Sequence, residues 1–361
     1  MDNEYGYANA RLRAMKSRLL TRGDYAALLD EPTIVEVITR LTHTAYQPEI
    51  EAALIRAAGW ECLSEGLRRH LSRTLNGITH FFSDTPLRLW RILIARWEVF
   101  NLKTILRGQA HHIAAREMLD AVIPVGELRE SDYGRLAQQT SVRATVDLLA
   151  TWNHPCARPL IEAVPRYAER GDLAELELAL DRARYADAFK RLEYLEDENA
   201  ALVRATLRAE IDAVNILTVL RLSEGGVGAR LMQRYSSAAP APLLIGGGGA
   251  ASQRLFAHKE VPAIESLVRE LSDTGFGEAL TRGLARYEES KMLTAFEDEL
   301  DAQLARQNVA LFHRDPLSIG IAIAYQSALV NEARNLRVIG RGKDAGWKRA
   351  EIEKELRLWQ N

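Results

Sequence analysis

Glu332-Ala333-Arg334-Asn335-Leu336-Arg337-Val338-Ile339-Gly340-Arg341-Gly342-Lys343 carries a skeleton that occurs twice more upstream. The first copy runs Glu98, Asn101, Leu102, Ile105, Arg107, Gly108; the second Asp212, Asn215, Ile216, Val219, Arg221; the third Glu332, Asn335, Leu336, Ile339, Arg341, Gly342. Each reads as an acid, two spacers, Asn, Leu or Ile, then Ile or Val and Arg. Asn101, Asn215 and Asn335 lie 114 and 120 residues apart, so the repeating unit has the size of a small domain and is too long for a solenoid.

A second anchor keeps the same order upstream of each copy. An apolar helical run ends in Leu and a turn carries an aromatic: Leu41-Thr42-His43-Thr44-Ala45-Tyr46, Leu149-Ala150-Thr151-Trp152-Asn153-His154 and Leu271-Ser272-Asp273-Thr274-Gly275-Phe276. Tyr46 to Asn101 spans 55 residues, His154 to Asn215 spans 61 and Phe276 to Asn335 spans 59. Two anchors at held spacing predict three helical repeat domains, 1–112, 113–228 and 229–361. The length of 361 residues, more than one core usually serves, fits that division.

Val203, Leu207, Ile211, Val214 and Leu217 recur at steps of four, four, three and three, which places the second copy on a helix with one buried face. Asn215 falls at the edge of that stripe, where an amide ordinarily satisfies a neighbouring group. The Arg and Gly of the motif have a local explanation, a cation at the carbonyl end of a helix and a glycine in its left-handed cap, with the first motif helix stopping at Arg107-Gly108. The acid and the Asn have no such explanation. Glu98, Asn101, Arg107, Asp212, Asn215, Arg221, Glu332, Asn335 and Arg341 are therefore the candidate contact residues, toward an axial partner or between adjoining domains.

Further helices are expected over Tyr7–Leu20, ended by Gly23-Asp24, over Glu278–Arg306, and from Ser318 after a cap at Asp315-Pro316. Period-two alternation persists nowhere, so the fold class read from the sequence is all-α. Three repeats with like contacts between neighbours would close into a threefold ring around an axial cavity, a shape that receives a shaft.

The composition, 47% hydrophobic and 27% charged, is that of an ordinary globular chain. A net charge of -2 provides no global field for nucleic acid. Cys62 and Cys156 stand far apart without metal-ligand spacing, so neither a disulfide nor a zinc site is expected. The longest apolar run, Leu317–Tyr325, is too short to span a bilayer. His111-His112 point about 100° apart on a helix and do not face one metal. The acidic clusters Glu196–Glu198 and Glu297–Glu299 read as helix ends or solvated faces. Gly246-Gly247-Gly248-Gly249 can offer backbone amides to a phosphate, but no strand precedes it and no Lys-Ser follows, so it reads, with Ser236–Pro242, as a linker. No catalytic motif, cofactor or metal site is predicted.

The run Asn335–Lys343, preceded by Glu332 and Ala324-Tyr325, resembles the closing motif of the C subunit of the V/A-type rotary ATPases, known as the d subunit in vacuolar enzymes. Tyr7–Met15 and Trp97–Lys103 are similar to the same family. The resemblance runs end to end. It implies a funnel of three helical domains, a non-catalytic central-stalk protein that receives the central shaft made of the D and F proteins and sits on the membrane proteolipid ring. Such a protein is peripheral, at the cytoplasmic face, in a complex that moves protons or sodium with ATP synthesis or hydrolysis. A helical enzyme or a general scaffold with a ligand site in the axial cavity is the alternative, separated from the first reading by copurification with a shaft.

Overall fold

The computed structural model describes residues 4–224 and 238–358. Ser236-Ser237 and the expected boundary at 228/229 fall outside them. Every regular element among the described residues is helical, in agreement with the all-α expectation. The chain forms two compact units, one made of Met1–Leu173 with Val309–Asn361, the other of Ala174–Asn308.

The first unit contains α1 (Gly6–Lys16), α2 (Arg22–Asp30), α3 (Ile34–Leu41), α4 (Gln47–Leu54), α5 (Gly59–Thr79), α6 (Asp84–Ala110), α7 (Ala115–Ala121), α8 (Glu130–Ala137), α9 (Val142–Thr151) and α10 (Ala157–Arg170). The second contains α11 (Ala174–Leu192), α12 (Glu198–Ser223), α13 (Ala250–Ala257), α14 (Ile264–Glu270), α15 (Gly277–Ser290) and α16 (Thr294–Val309), which ends at the boundary. The chain then returns to the first unit with α17 (Gly320–Asp344) and α18 (Arg349–Glu355).

Apolar spacing explains which face each helix buries. In α3, Ile34, Val37, Ile38 and Leu41 form one stripe, and it packs with Leu28, Tyr46, Ile50, Leu63 and Leu67 around Leu336 and Ile339 of α17. Helix α17, near the C-terminus, is thus a core element of the N-terminal bundle. In the second unit, Ala213, Ile216, Val219 and Leu220 of α12 occupy the corresponding place among Leu255, Leu267, Leu271, Phe276, Leu280 and Phe296.

Several local expectations are corrected. Gly23-Asp24 opens α2 rather than ending α1, because Thr21 and Asp24 form a capping box. Glu278–Arg306 is two helices, broken where Lys291 turns left-handed at φ 55°. Asp315 does not cap α17; its carboxylate accepts from Leu317 N–H in the turn before it. The buried face of α12 shifts along the helix, so that Val214 and Leu217 are half-buried while Asn215 is 0% exposed, at the centre of the face rather than its edge.

The motif glycines are not left-handed caps. Helix α6 runs on past Gly108 and α17 past Gly342. A Cβ on Gly108 would stand 2.3 Å from Met118 Sδ, and one on Gly342 would stand 2.5 Å from Ile352 Cγ1, so both admit a neighbouring helix. The left-handed residues are His112 and Gly346, four positions on in each case, and the amides beyond them close onto the Gly108 and Gly342 carbonyls at 2.8 Å.

Candidate functional site

The motif asparagines share one geometry. Asn101 Nδ2 donates to Ile123 O at 2.6 Å and Oδ1 accepts from Ile123 N at 2.8 Å. Asn215 does the same with Ile245, at 2.8 Å for both bonds, and Asn335 with Arg357, at 3.1 and 3.0 Å. Each Asn is fully buried and clamps the N–H and C=O of one residue in a segment C-terminal to its own helix, beyond α7 for Ile123 and beyond α18 for Arg357. An extended segment offers both an N–H and a C=O that neighbouring helices leave unpaired, and a primary amide is the side chain that answers both at once.

A second clamp holds the other side of two of these segments, and the sequence reading missed it. Arg68 of α5 donates to Val122 O at 3.0 Å, and Arg182 of α11 donates to Leu244 O at 2.8 Å, each one residue before the peptide held by Asn. Arg68 and Arg182 are 114 residues apart, the interval between Asn101 and Asn215, and that register was the available signal.

The acids reach further. Glu98 accepts from Glu127 N at 3.2 Å and Leu128 N at 3.4 Å, and meets His154 Nε2 at 2.8 Å. His154 Nδ1 accepts from Cys156 N, so the proton that faces Glu98 sits on Nε2. Burial pushes the Glu98 carboxyl up, but the hydrogen bond of His154 and those of the two amides together hold it below the usual carboxylate value. Asp212 Oδ1 accepts from Gly249 N at 2.8 Å and Ser252 N at 3.0 Å, at the start of α13. A Cβ on Gly248 or Gly249 would come within 2.7 Å of that carboxylate. The last glycine of the run thus offers its amide, together with that of Ser252, to a carboxylate, and the carboxylate is the chain's own Asp212. Glu332 accepts from Leu20 N at 2.5 Å and from Tyr46 Oη at 2.8 Å.

Two of the acids touch the turn anchors, His154 and Tyr46, of another part of the chain. The position before α10 that matches Tyr46 before α4 and Phe276 before α15 is Cys156, not the aromatic Trp152 or His154. All three are buried, and each backbone N–H is accepted by the side chain two residues earlier, Thr44, His154 or Thr274. Phe276 has no hydroxyl to donate, and Asp212 turns to the α13 amides instead.

The motif arginines stand apart from this buried set. Arg107, Arg221 and Arg341 are all exposed near helix ends; Arg221 pairs with Glu297, and the Arg341 guanidinium lies 4.7 Å from the Trp60 ring centroid. Of the acidic clusters, Asp197 caps α12, while Asp298 and Glu299 pair with Arg286 and Arg282. Cys62 and Cys156 are buried and not joined in a disulfide. Among the described residues no helix is long and apolar enough to cross a membrane, and no group of three or more His, Cys, Asp or Glu side chains is placed to hold a metal.

Comparison with known proteins gives one consistent result. The model of the ATP synthase (C/AC39) subunit family matches residues 8–355. The C subunit of the A-type ATP synthase of Methanosarcina mazei is 27% identical over 355 residues, covering 98% of this chain and 93% of that protein. The C subunit of Halorubrum lacusprofundi is 29% identical over 350 residues, 97% and 96% of the two chains, and that of Haloferax volcanii 28% over 354 residues, again 97% and 96%.

Proposed function

The chain belongs to the ATP synthase (C/AC39) subunit family, and from that premise we propose that it is the non-catalytic central-stalk socket of a rotary ATP synthase or ATPase. It couples the central shaft, made of the D and F proteins, to the membrane proteolipid ring, and it lies peripherally on the cytoplasmic face, held to the membrane through the complex. The observation that carries this is the family match across residues 8–355, joined by relatives named as the C subunit of an A-type ATP synthase over nearly their whole length.

The chain is three repeats, 1–112, 113–228 and 229–361, in which the motif helix at the end of each repeat packs into the bundle of the next. The third closes on the first. Support comes from the placement of α6 beside α7, α8 and α9, of α12 in the core with α13 to α16, and of α17 in the core with α2 to α5. In this reading the acids and asparagines brace adjoining repeats, while Arg107, Arg221 and Arg341, which are exposed, are the members of the motif left to meet a shaft. A part that transmits torque needs such braces, because each joint must carry load without slipping.

The test is coelution of the purified chain with a reconstituted D–F shaft and, separately, with detergent-solubilised proteolipid ring, together with ATP turnover by the chain alone. Stable coelution with both and turnover at background are expected. Coelution with neither, or turnover that survives repurification, would overturn the proposal.

A further inference from the structure

Glu332 differs from the two acids that share its place in the motif. Glu98 has the imidazole of His154, and Asp212 has two amides at a helix start. Glu332 is 4% exposed, and among the described residues no cationic side chain forms an ion pair with it. Its donors are both neutral, one amide and one phenol. A carboxylate taken out of water without a counter-charge is costly, and the cheap form of such a group is the neutral acid. Two cavities meet at this side chain. One, of about 490 Å³, is lined by Leu20, Tyr25, Ala328 and Asn331; the other, of about 560 Å³, by Met15, Thr44, His70 and Tyr325.

The position of the group gives its charge a mechanical consequence. Glu332 lies on α17, and its two partners, Leu20 and Tyr46, lie on the N-terminal bundle, so this one carboxyl joins segments separated by 312 and 286 positions in the sequence. We propose that Glu332 is a proton-operated latch at the seam between the penultimate helix α17 and the N-terminal bundle, closed when the carboxyl is protonated and loosened when it ionises and draws water through the flanking cavities.

The titratable and charged groups around it act in one direction or are already engaged. From α2, Asp24 disfavours the charged form, and Tyr25 is itself pushed up by burial and by Glu332. Tyr46, in the turn before α4, and Tyr325, earlier on α17, are pushed up by burial and by Glu332 too, so all three phenols stay protonated as donors or neutral neighbours. From α5, His70 and Arg73 line one cavity but both pair with Glu49. Arg18 and His43 border that cavity at its exposed rim, Arg22 and Arg357 border the other, and Arg337 on α17 is pushed down by burial, with Tyr46 acting against that shift. Burial, the largest effect, raises the Glu332 carboxyl from 4.5 to about 7 against the opposing bonds of Leu20 and Tyr46. The latch therefore works in a range that cells occupy. Opening is local, because Lys343 Nζ still donates to Leu29 O at 2.7 Å, and Arg349 pairs with Asp30, further along the same seam.

Hydrogen exchange on the full chain, corrected for the intrinsic pH dependence of amide exchange, tests this through the peptides that contain Leu20 and Glu332. A group moving from 4.5 in the open seam to about 7 in the closed one changes the open population roughly 70-fold between pH 5 and pH 8. Protection of both peptides should fall by about that factor as pH rises, while Glu332→Gln holds it level. Wild-type protection that does not change with pH, or a fall that persists in Glu332→Gln, overturns the proposal. Should that variant fail to fold, Tyr46→Phe decides: it removes a donor that favours the anion, so the midpoint of the fall must move to higher pH, and an unmoved midpoint overturns the latch.

Discussion

Replacing Asn101 by Ala is the sharpest test of the brace. Asn101 is 0% exposed, and its amide satisfies both the N–H and the C=O of Ile123, at 2.8 and 2.6 Å. Truncation leaves one buried donor and one buried acceptor without partners, each at a cost of about 1–3 kcal/mol, so the expected loss is about 4 kcal/mol. That is a large part of the stability a domain ordinarily has, about 5–15 kcal/mol. None of the six tryptophans falls in Ala174–Asn308, so tryptophan fluorescence in urea reports the unit that contains Asn101. The comparison is Arg341→Ala, which removes an exposed cation 4.7 Å from the Trp60 ring and should cost about 1 kcal/mol or less. A fluorescence midpoint for Asn101→Ala that moves no further than that of Arg341→Ala, at unchanged slope, would refute the reasoning.

Three other outcomes follow from the same geometry. Gly277→Ala would place a Cβ 1.9 Å from the Ser272 carbonyl oxygen, a backbone atom that cannot move aside, and should cost about 2 kcal/mol or more in far-ultraviolet circular dichroism melts; Gly77→Ala, in open space within α5, should stabilise by about 0.5–1 kcal/mol. Arg184→Met takes away the guanidinium 2.6 Å from the Glu210 carboxylate, where both side chains are mostly buried, and should lower stability by about 3–5 kcal/mol, measured by the same melts. Glu98 is held below its ordinary value, so its contribution is present above about pH 4.5 and is lost as pH falls through the lowered value; Glu98→Gln should be less stable than wild type at pH 7 and should lose less on acidification, read by tryptophan fluorescence.

Periodicity along the chain was enough to establish a helical protein and to set the register of its repeated motif, because helical faces and repeat intervals are properties of neighbours in sequence. The stripe in α3 and the interval of 114 residues between Asn101 and Asn215 are legible without coordinates. What the motif residues touch is not. Asn101 finds its peptide 22 residues on and Asn215 finds its own 30 residues on, while Glu332 meets Leu20 from 312 residues away. An amide or a carboxylate will satisfy any unpaired backbone group of suitable geometry, so its identity does not name the partner; packing does. The motif glycines make the same point. Locally, Gly beside Arg reads as a helix cap, yet Gly108 and Gly342 sit inside helices to admit Met118 and Ile352, and only the tertiary approach of another helix distinguishes the two uses. The charge on Glu332 is likewise a matter of assembly: the side chain is an ordinary glutamate until the two ends of the chain close around it and take the water away.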